Sequence, residues 1–161
     1  MKQRMATIRI ASELAAPAAV VWKHATTLRT INEEMGPWLY MTHPAAARDL
    51  SLSDVGQQAD MPLGTPLFSS WVLLFRCLPV ERLQVTIVEL EDGVRFVEQS
   101  KTSLMKSWRH ERRVEPRGAA CTVTDVVTLE PPMALFARPI AACVSWFFGH
   151  RHAQLRKRFG R

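Results

Sequence analysis

Five ionisable side chains sit at positions where their apolar neighbours set the facing. Read at a period of two, Glu98 shares a face with Val94 and Phe96, and Asp125 shares one with Val123, Val127 and Leu129. His110 and Arg112 fall in line with Trp108 and Val114, leaving Arg109, Glu111 and Arg113 on the opposite face. At a helical period, Ile140, Val144, Phe148 and Leu155 form an apolar stripe, and Arg151 lies inside it. A charge on a buried face is costly unless paired, so Arg151 is expected to meet a carboxylate from the strands, with Asp125 and Glu98 as the candidates. Phe96, Glu98, Trp108, His110, Arg112, Asp125 and Arg151 are therefore the candidate site. His110 could serve as a general base over an acidic C–H, with Arg112 or Arg151 stabilising an enolate oxygen and Trp108 stacking on a planar ligand. The same residues fit an ion-pair network that pins a helix to a sheet, or the polar floor of an apolar cavity. These last two readings are compatible.

Other chemistries find little support. The chain contains no GxSxG elbow, no phosphate-binding glycine loop and no GxGxxG. His150 and His152, two apart on a helix, diverge rather than share a metal. Cys77, Cys121 and Cys143 are odd in number and lack ligand spacing, which reads as small apolar residues in a reducing compartment. No metal or cofactor is expected.

These side chains need strands and a helix to hold them. Met5 to Glu13 reads as a strand. Pro17 opens a short helix to His24, and Thr26 or Thr27 is placed to cap a second helix to about Met35. Gly36-Pro37 ends it, and Trp38 to Thr42 reads as a short strand. Residues 43–65 read as a long loop with one helical turn near Ala45 to Leu50, a surface excursion in preference to a lid. Five strands follow at about 67–77, 80–90, 94–101, 104–115 and 120–130, separated at Leu78-Pro79, Glu91-Asp92-Gly93, Thr102-Ser103 and Pro116-Arg117-Gly118. Short connections imply an antiparallel meander. After Pro131-Pro132 a long helix runs to about Phe159, with a kink or restart expected at Pro139.

Composition sets the outer bounds. With 161 residues, 47% of them hydrophobic and 22% charged, the chain reads as one globular domain over 1–161, not a disordered or disulfide-rich chain. The basic start Met1-Lys2-Gln3-Arg4 resembles a leader, but Arg9 and Glu13 interrupt every apolar run after it. Met133 to Gly149 is apolar yet divided by Arg138 and Pro139, too short a run to span a bilayer. A cytoplasmic location is expected. The net charge of +6 raises nucleic acid or an anionic surface as a partner. All of that surplus lies in Arg138, Arg151, Arg156, Lys157, Arg158 and Arg161, where cations complement the negative pole of a helix. Specific nucleic-acid binding is therefore not expected, and contact with anionic surfaces should be weak.

The order of segments resembles the START-related, polyketide-cyclase-like SRPBCC superfamily. The resemblance runs from Ile8-Arg9-Ile10 and Ala16-Pro17-Ala18-Ala19-Val20-Val21-Trp22 through Leu78-Pro79-Val80, Phe96-Val97-Glu98, Trp108-Arg109-His110 and Val123-Thr124-Asp125-Val126-Val127. It ends on Phe148-Gly149-His150-Arg151-His152 with Leu155 and Phe159. It implies an α+β helix-grip fold: seven antiparallel strands curled around a C-terminal helix, two short helices, and a cavity between sheet and helix. It also implies binding or transport of a small hydrophobic or aromatic molecule, with polyketide cyclisation or dehydration as the alternative.

Overall fold

The computed structural model describes residues 5–58 and 62–161. The basic start at 1–4, and residues 59–61 of the long 43–65 segment, lie outside the described residues.

Strand β1 (Ala6–Leu14) alternates exposed and inward-facing residues and leads into helix α1 (Ala18–Thr26). Pro17 precedes the first turn of α1, and the next helix, α2, spans Leu28–Met35. Thr27 holds the N-cap position of α2, but the Thr26 and Thr27 hydroxyls turn back to donate to the carbonyls of Trp22 and Lys23, so they close α1 and make no side-chain cap on α2. Strand β2 (Leu39–Met41) follows. The helical turn expected near Ala45 to Leu50 is a 3-10 turn at Ala45–Ala47, and the 43–65 segment holds a further element where its composition reads as loop, helix α3 (Leu52–Gln58). Helix α3 starts on a reciprocal cap, in which Asp54 N–H donates to the Ser51 hydroxyl and Ser51 N–H donates to the Asp54 carboxylate.

The remaining strands are β3 (Pro66–Leu74), β4 (Leu78–Glu91), β5 (Arg95–Gln99), the two-residue β6 (Lys101–Thr102), β7 (Ser107–Arg117) and β8 (Ala120–Glu130). They build a curled antiparallel sheet in the order β1-β8-β7-β5-β4-β3-β2, seven strands with β6 added against β4. Gly93 and Gly118 take positive φ in the turns before β5 and β8, as expected of glycine there. The β3–β4 turn falls at Phe75 and Arg76, both left-handed at φ 50° and 64°, and not at Leu78-Pro79. Pro79 instead pairs with Leu73 beside a register shift, an irregular place in a strand where a missing N–H is tolerated.

Helix α4 (Ala137–Phe159) follows a 3-10 turn at Ala134–Phe136 and packs across β1, β8 and α2. Pro139 belongs to its first turn, where no intrahelical donor is needed, so the helix is continuous through it. Among the described residues no helix is long and apolar enough to cross a membrane.

Two apolar clusters sit between sheet and helices. One gathers Leu14, Val21, Trp22, Val114, Val123 and Leu155; the other gathers Val127, Leu129 and Phe148 with Trp108, Ile140 and Val144. Leu155 is completely buried and ties the end of α4 to β1 and α1. Leu155→Ala is expected to lower stability by about 2–5 kcal/mol, read as a shifted urea midpoint at unchanged slope. An unshifted midpoint would mean that α4 is not docked there.

Candidate functional site

Between the two clusters runs a belt of buried charge. Arg112 is fully buried on β7 and faces two carboxylates. Its Nε and Nη2 donate to Asp125 Oδ1 and Oδ2 at 2.8 and 2.7 Å, a two-pronged pair from neighbouring strands. Its Nη1 donates to Glu34 at 3.0 and 3.2 Å. Asp125 also accepts from His110 Nε2 at 2.8 Å and from His152 Nε2 at 2.9 Å. Four donors thus fill the four lone-pair positions of one carboxylate. Ser12 completes that side: its hydroxyl accepts from Arg156 at 2.7 Å and lies 2.8 Å from His152 Nδ1.

Arg151 finds its carboxylate on a helix instead of a strand. Its Nε and Nη2 donate to Glu34 Oε2 at 3.2 and 3.0 Å, and neither Asp125 nor Glu98 is its partner. Glu34 is 1% exposed on α2, where it joins Arg112 and Arg151 and so ties α2, β7 and α4 together. Nothing in the strands pointed to it. The sequence signal was a shortage: inward-facing Arg112, Arg151 and His110 outnumber Asp125 and Glu98.

Two pockets, of about 280 and 230 Å³, open on either side of this belt. Met41, Glu98, His110 and Arg151 line both, forming a waist between two lobes. The first lobe lies under α1 and α2, with Ile31, Val85 and Phe96 in its wall and Pro44, Leu50 and Val55 as its cover. Residues 44–55 therefore form a wall of the cavity. The second lobe lies between β4 and α4, lined by Leu83, Leu104, Trp108, Val144 and Phe147.

Five candidate residues consequently border the cavity: Phe96 in one lobe, Trp108 in the other, and Glu98, His110 and Arg151 at the waist. Arg112 and Asp125, expected on the same surface, line neither lobe; they lie behind it, saturated by one another and by His110, His152 and Glu34. The hydrogen bonds at the waist are less complete. Glu98 Oε1 accepts from the Ser100 hydroxyl at 2.6 Å, while Oε2 lies 3.8 Å from His110 Nδ1. The rings of Phe96 and Phe148 stand steeply inclined to that of His110, at centroid distances of 5.6 and 5.0 Å.

Electrostatics follows the contacts. Burial opposes the charged form of His110, but the Asp125 and Glu98 carboxylates outweigh it and raise its pKa above the usual histidine value. Burial likewise opposes the charged form of Asp125, yet Arg112 and His110 hold its carboxyl well below the usual range. Glu98 is lowered for the same reason, with His110 and Ser100 overcoming burial. Burial and the neighbouring Arg112 lower Arg151. Among the described residues, no group of three or more His, Cys, Asp or Glu is placed to hold a metal ion. His150 turns away from His152 and meets the Gly36 carbonyl at 2.7 Å.

A curled antiparallel sheet gripping a long C-terminal helix, with a cavity between them, is the START/SRPBCC-like helix-grip fold. Residues 12–159 match the profile of a family described as a domain of unknown function, DUF8410, and the chain belongs to that family. No curated protein sequence matches it. Among solved structures it is similar to protein CV1439 from Chromobacterium violaceum, at TM-score 0.69 and 15% identity over 96% of this chain and 97% of that one. A START superfamily protein from Mycobacterium smegmatis gives TM-score 0.65 and 8% identity over 95% and 96% of the two chains. DynU16, a protein of the dynemicin biosynthetic locus, gives TM-score 0.57 and 13% identity over 93% of this chain and 47% of that one.

Proposed function

We propose that this protein binds a small, mainly apolar molecule in the two-lobed cavity, with Glu98, His110 and Arg151 orienting it. The observation that carries this reading is the arrangement itself: two lobes walled largely by apolar side chains meet at three charged residues. Apolar enclosure with a few convergent polar groups is the usual composition of a small-molecule site. The fold agrees, since it resembles that of a START superfamily protein and of a protein from a biosynthetic locus, which supports a ligand-binding or cyclase-type role in general.

Binding is favoured over cyclisation or dehydration by the surroundings of His110. Both of its ring nitrogens face carboxylates, and the proton on Nε2 is committed to Asp125. A general base needs an unprotonated nitrogen aimed at the substrate.

The neutral fluorescent probe N-phenyl-1-naphthylamine tests the reading. Saturable binding of one probe per chain is expected, with affinity in the range of roughly micromolar. Val85→Trp and Leu83→Trp together, which fill both lobes, should weaken it by at least about tenfold, roughly 1.4 kcal/mol. Non-saturable binding, or an affinity unmoved by the double variant, would overturn the proposal.

A further inference from the structure

Most of the charge at the waist is already matched. Glu34 is shared by Arg112 and Arg151, and Asp125 by Arg112, His110 and His152. Glu98 faces His110. Three carboxylates thus face two guanidinium groups and the His110 and His152 imidazoles, so the belt offers no clear surplus of either sign to attract an ionic ligand. It does hold spare hydrogen-bond donors. Arg151 commits Nε and Nη2 to Glu34, while its Nη1 has no hydrogen-bond acceptor among the described residues. That nitrogen is not sealed in, because no fully buried side-chain nitrogen or oxygen among the described residues lacks a partner. The Arg151 guanidinium also lies 5.1 Å from the centre of the Phe148 ring, and Phe148 lines the second lobe. An unused donor therefore stands at the junction of two apolar chambers, and not at the closed end of one.

Granting the binding role proposed above, we infer that the ligand is uncharged and carries a hydrogen-bond acceptor near its middle, a carbonyl by preference, with one apolar arm in each lobe. The acceptor takes the Arg151 Nη1 donor, and each arm covers the wall on its own side. A molecule with its polar group at one end is the poorer match, because its apolar body would have to cross the waist and leave that donor without an acceptor, an expensive arrangement once water is displaced. A carboxylate in the same place would add a further negative charge beside Glu98 and Glu34.

Benzophenone, a carbonyl between two phenyl rings, tests this directly, with diphenylmethane as the match lacking the oxygen. Benzophenone is expected to bind at least about tenfold more tightly than diphenylmethane, the discrimination expected when a buried donor is left unpaired. Arg151→Met should erase that difference, and a cooperative urea transition shows that the variant is folded, since Glu34 retains Arg112. Should that variant fail to fold, the wild-type protein still decides the matter by photolabelling. The excited carbonyl takes a hydrogen from a neighbouring C–H and the two carbons join, so the adduct marks where the carbonyl sits. Labelling at Met41, which borders both lobes, is the expected result. Labelling confined to outer residues of one lobe, such as Val55 or Leu104, would overturn the inference, as would equal affinity for the two compounds or no benzophenone binding. In those cases N-phenyl-1-naphthylamine binding would leave the broader role standing. If that probe fails to bind as well, the binding role falls and this inference with it.

Discussion

Arg112→Met is expected to be the most damaging single substitution in the protein, costing about 3–5 kcal/mol, the penalty for leaving buried charge without its partner. Arg112 has no exposed surface, and its guanidinium supplies two of the four donors on Asp125 and one nitrogen to Glu34. Methionine fills much of the volume but leaves Asp125 with only His110 and His152 and Glu34 with Arg151, so two buried carboxylates lose the guanidinium they share. A domain of this size has roughly 5–15 kcal/mol of total stability, so the loss is a large fraction of it. Arg151→Met should cost less, because Glu34 keeps Arg112 as a partner. Urea denaturation of both variants checks the order. The Arg112 variant carries a further signature: it should become more stable as pH is lowered from about 7 toward 5, since protonation relieves the stranded carboxylates. An Arg112 variant as stable as wild type would show that the belt is not the tie between α2, β7 and α4.

The second large effect is the pH dependence of the wild-type protein. Asp125 and Glu98 have folded pKa values below their ordinary ones, so their contribution is present above about pH 4 and is lost as pH falls through the folded values. His110 has a raised folded value, so its contribution is complete below about pH 6.5 and is lost as pH rises through that value. Both describe the same imidazolium–carboxylate contacts and are not to be added. His24 works in the opposite sense: burial lowers its pKa, so protonating it below about pH 6.5 costs stability. Stability measured by urea midpoint should therefore be highest near about pH 6.5, declining above it as His110 loses its proton and below it as His24 gains one. His110→Gln retains His24 and Asp125, so it should lose the alkaline decline and keep the acid one. A wild-type curve flat from about pH 6 to 9 would mean that His110 is not held toward its charged form.

Much of this belt was legible in the sequence because β7 alternates from His110 to Val114 and β8 does so over most of its length. Once Val123, Val127 and Leu129 face inward, Asp125 has to follow, and the same holds for His110 and Arg112 between Trp108 and Val114. The stripe on α4 placed Arg151 in the same way. Glu34 was hidden because it sits in the polar run Asn32-Glu33-Glu34, which reads as a solvent face, and only the approach of β7 and α4 in space buries it. The turn at Phe75-Arg76 was hidden for a different reason. Neither residue favours left-handed backbone, so the neighbouring proline drew the turn to itself. The start of α3, by contrast, stood in plain view in the Ser51-x-x-Asp54 spacing, inside a segment whose prolines and glycines read as loop.

The ties in the belt span very different lengths of chain. Arg112 and Asp125 are 13 residues apart and meet across a single hairpin, whereas Glu34 and Arg112 are separated by 78 residues, Glu34 and Arg151 by 117, and Ser12 and His152 by 140. Short loops close at less entropic cost than long ones, and contacts between distant parts of a chain slow its folding. The β7–β8 hairpin can thus bring Arg112 to Asp125 while both are still wet, and the shared water is driven out only when α2 and α4 settle over them. The ties with the highest closure entropy are thus those of Glu34, Arg151 and Ser12, and they belong to the segments that cover the charges from solvent.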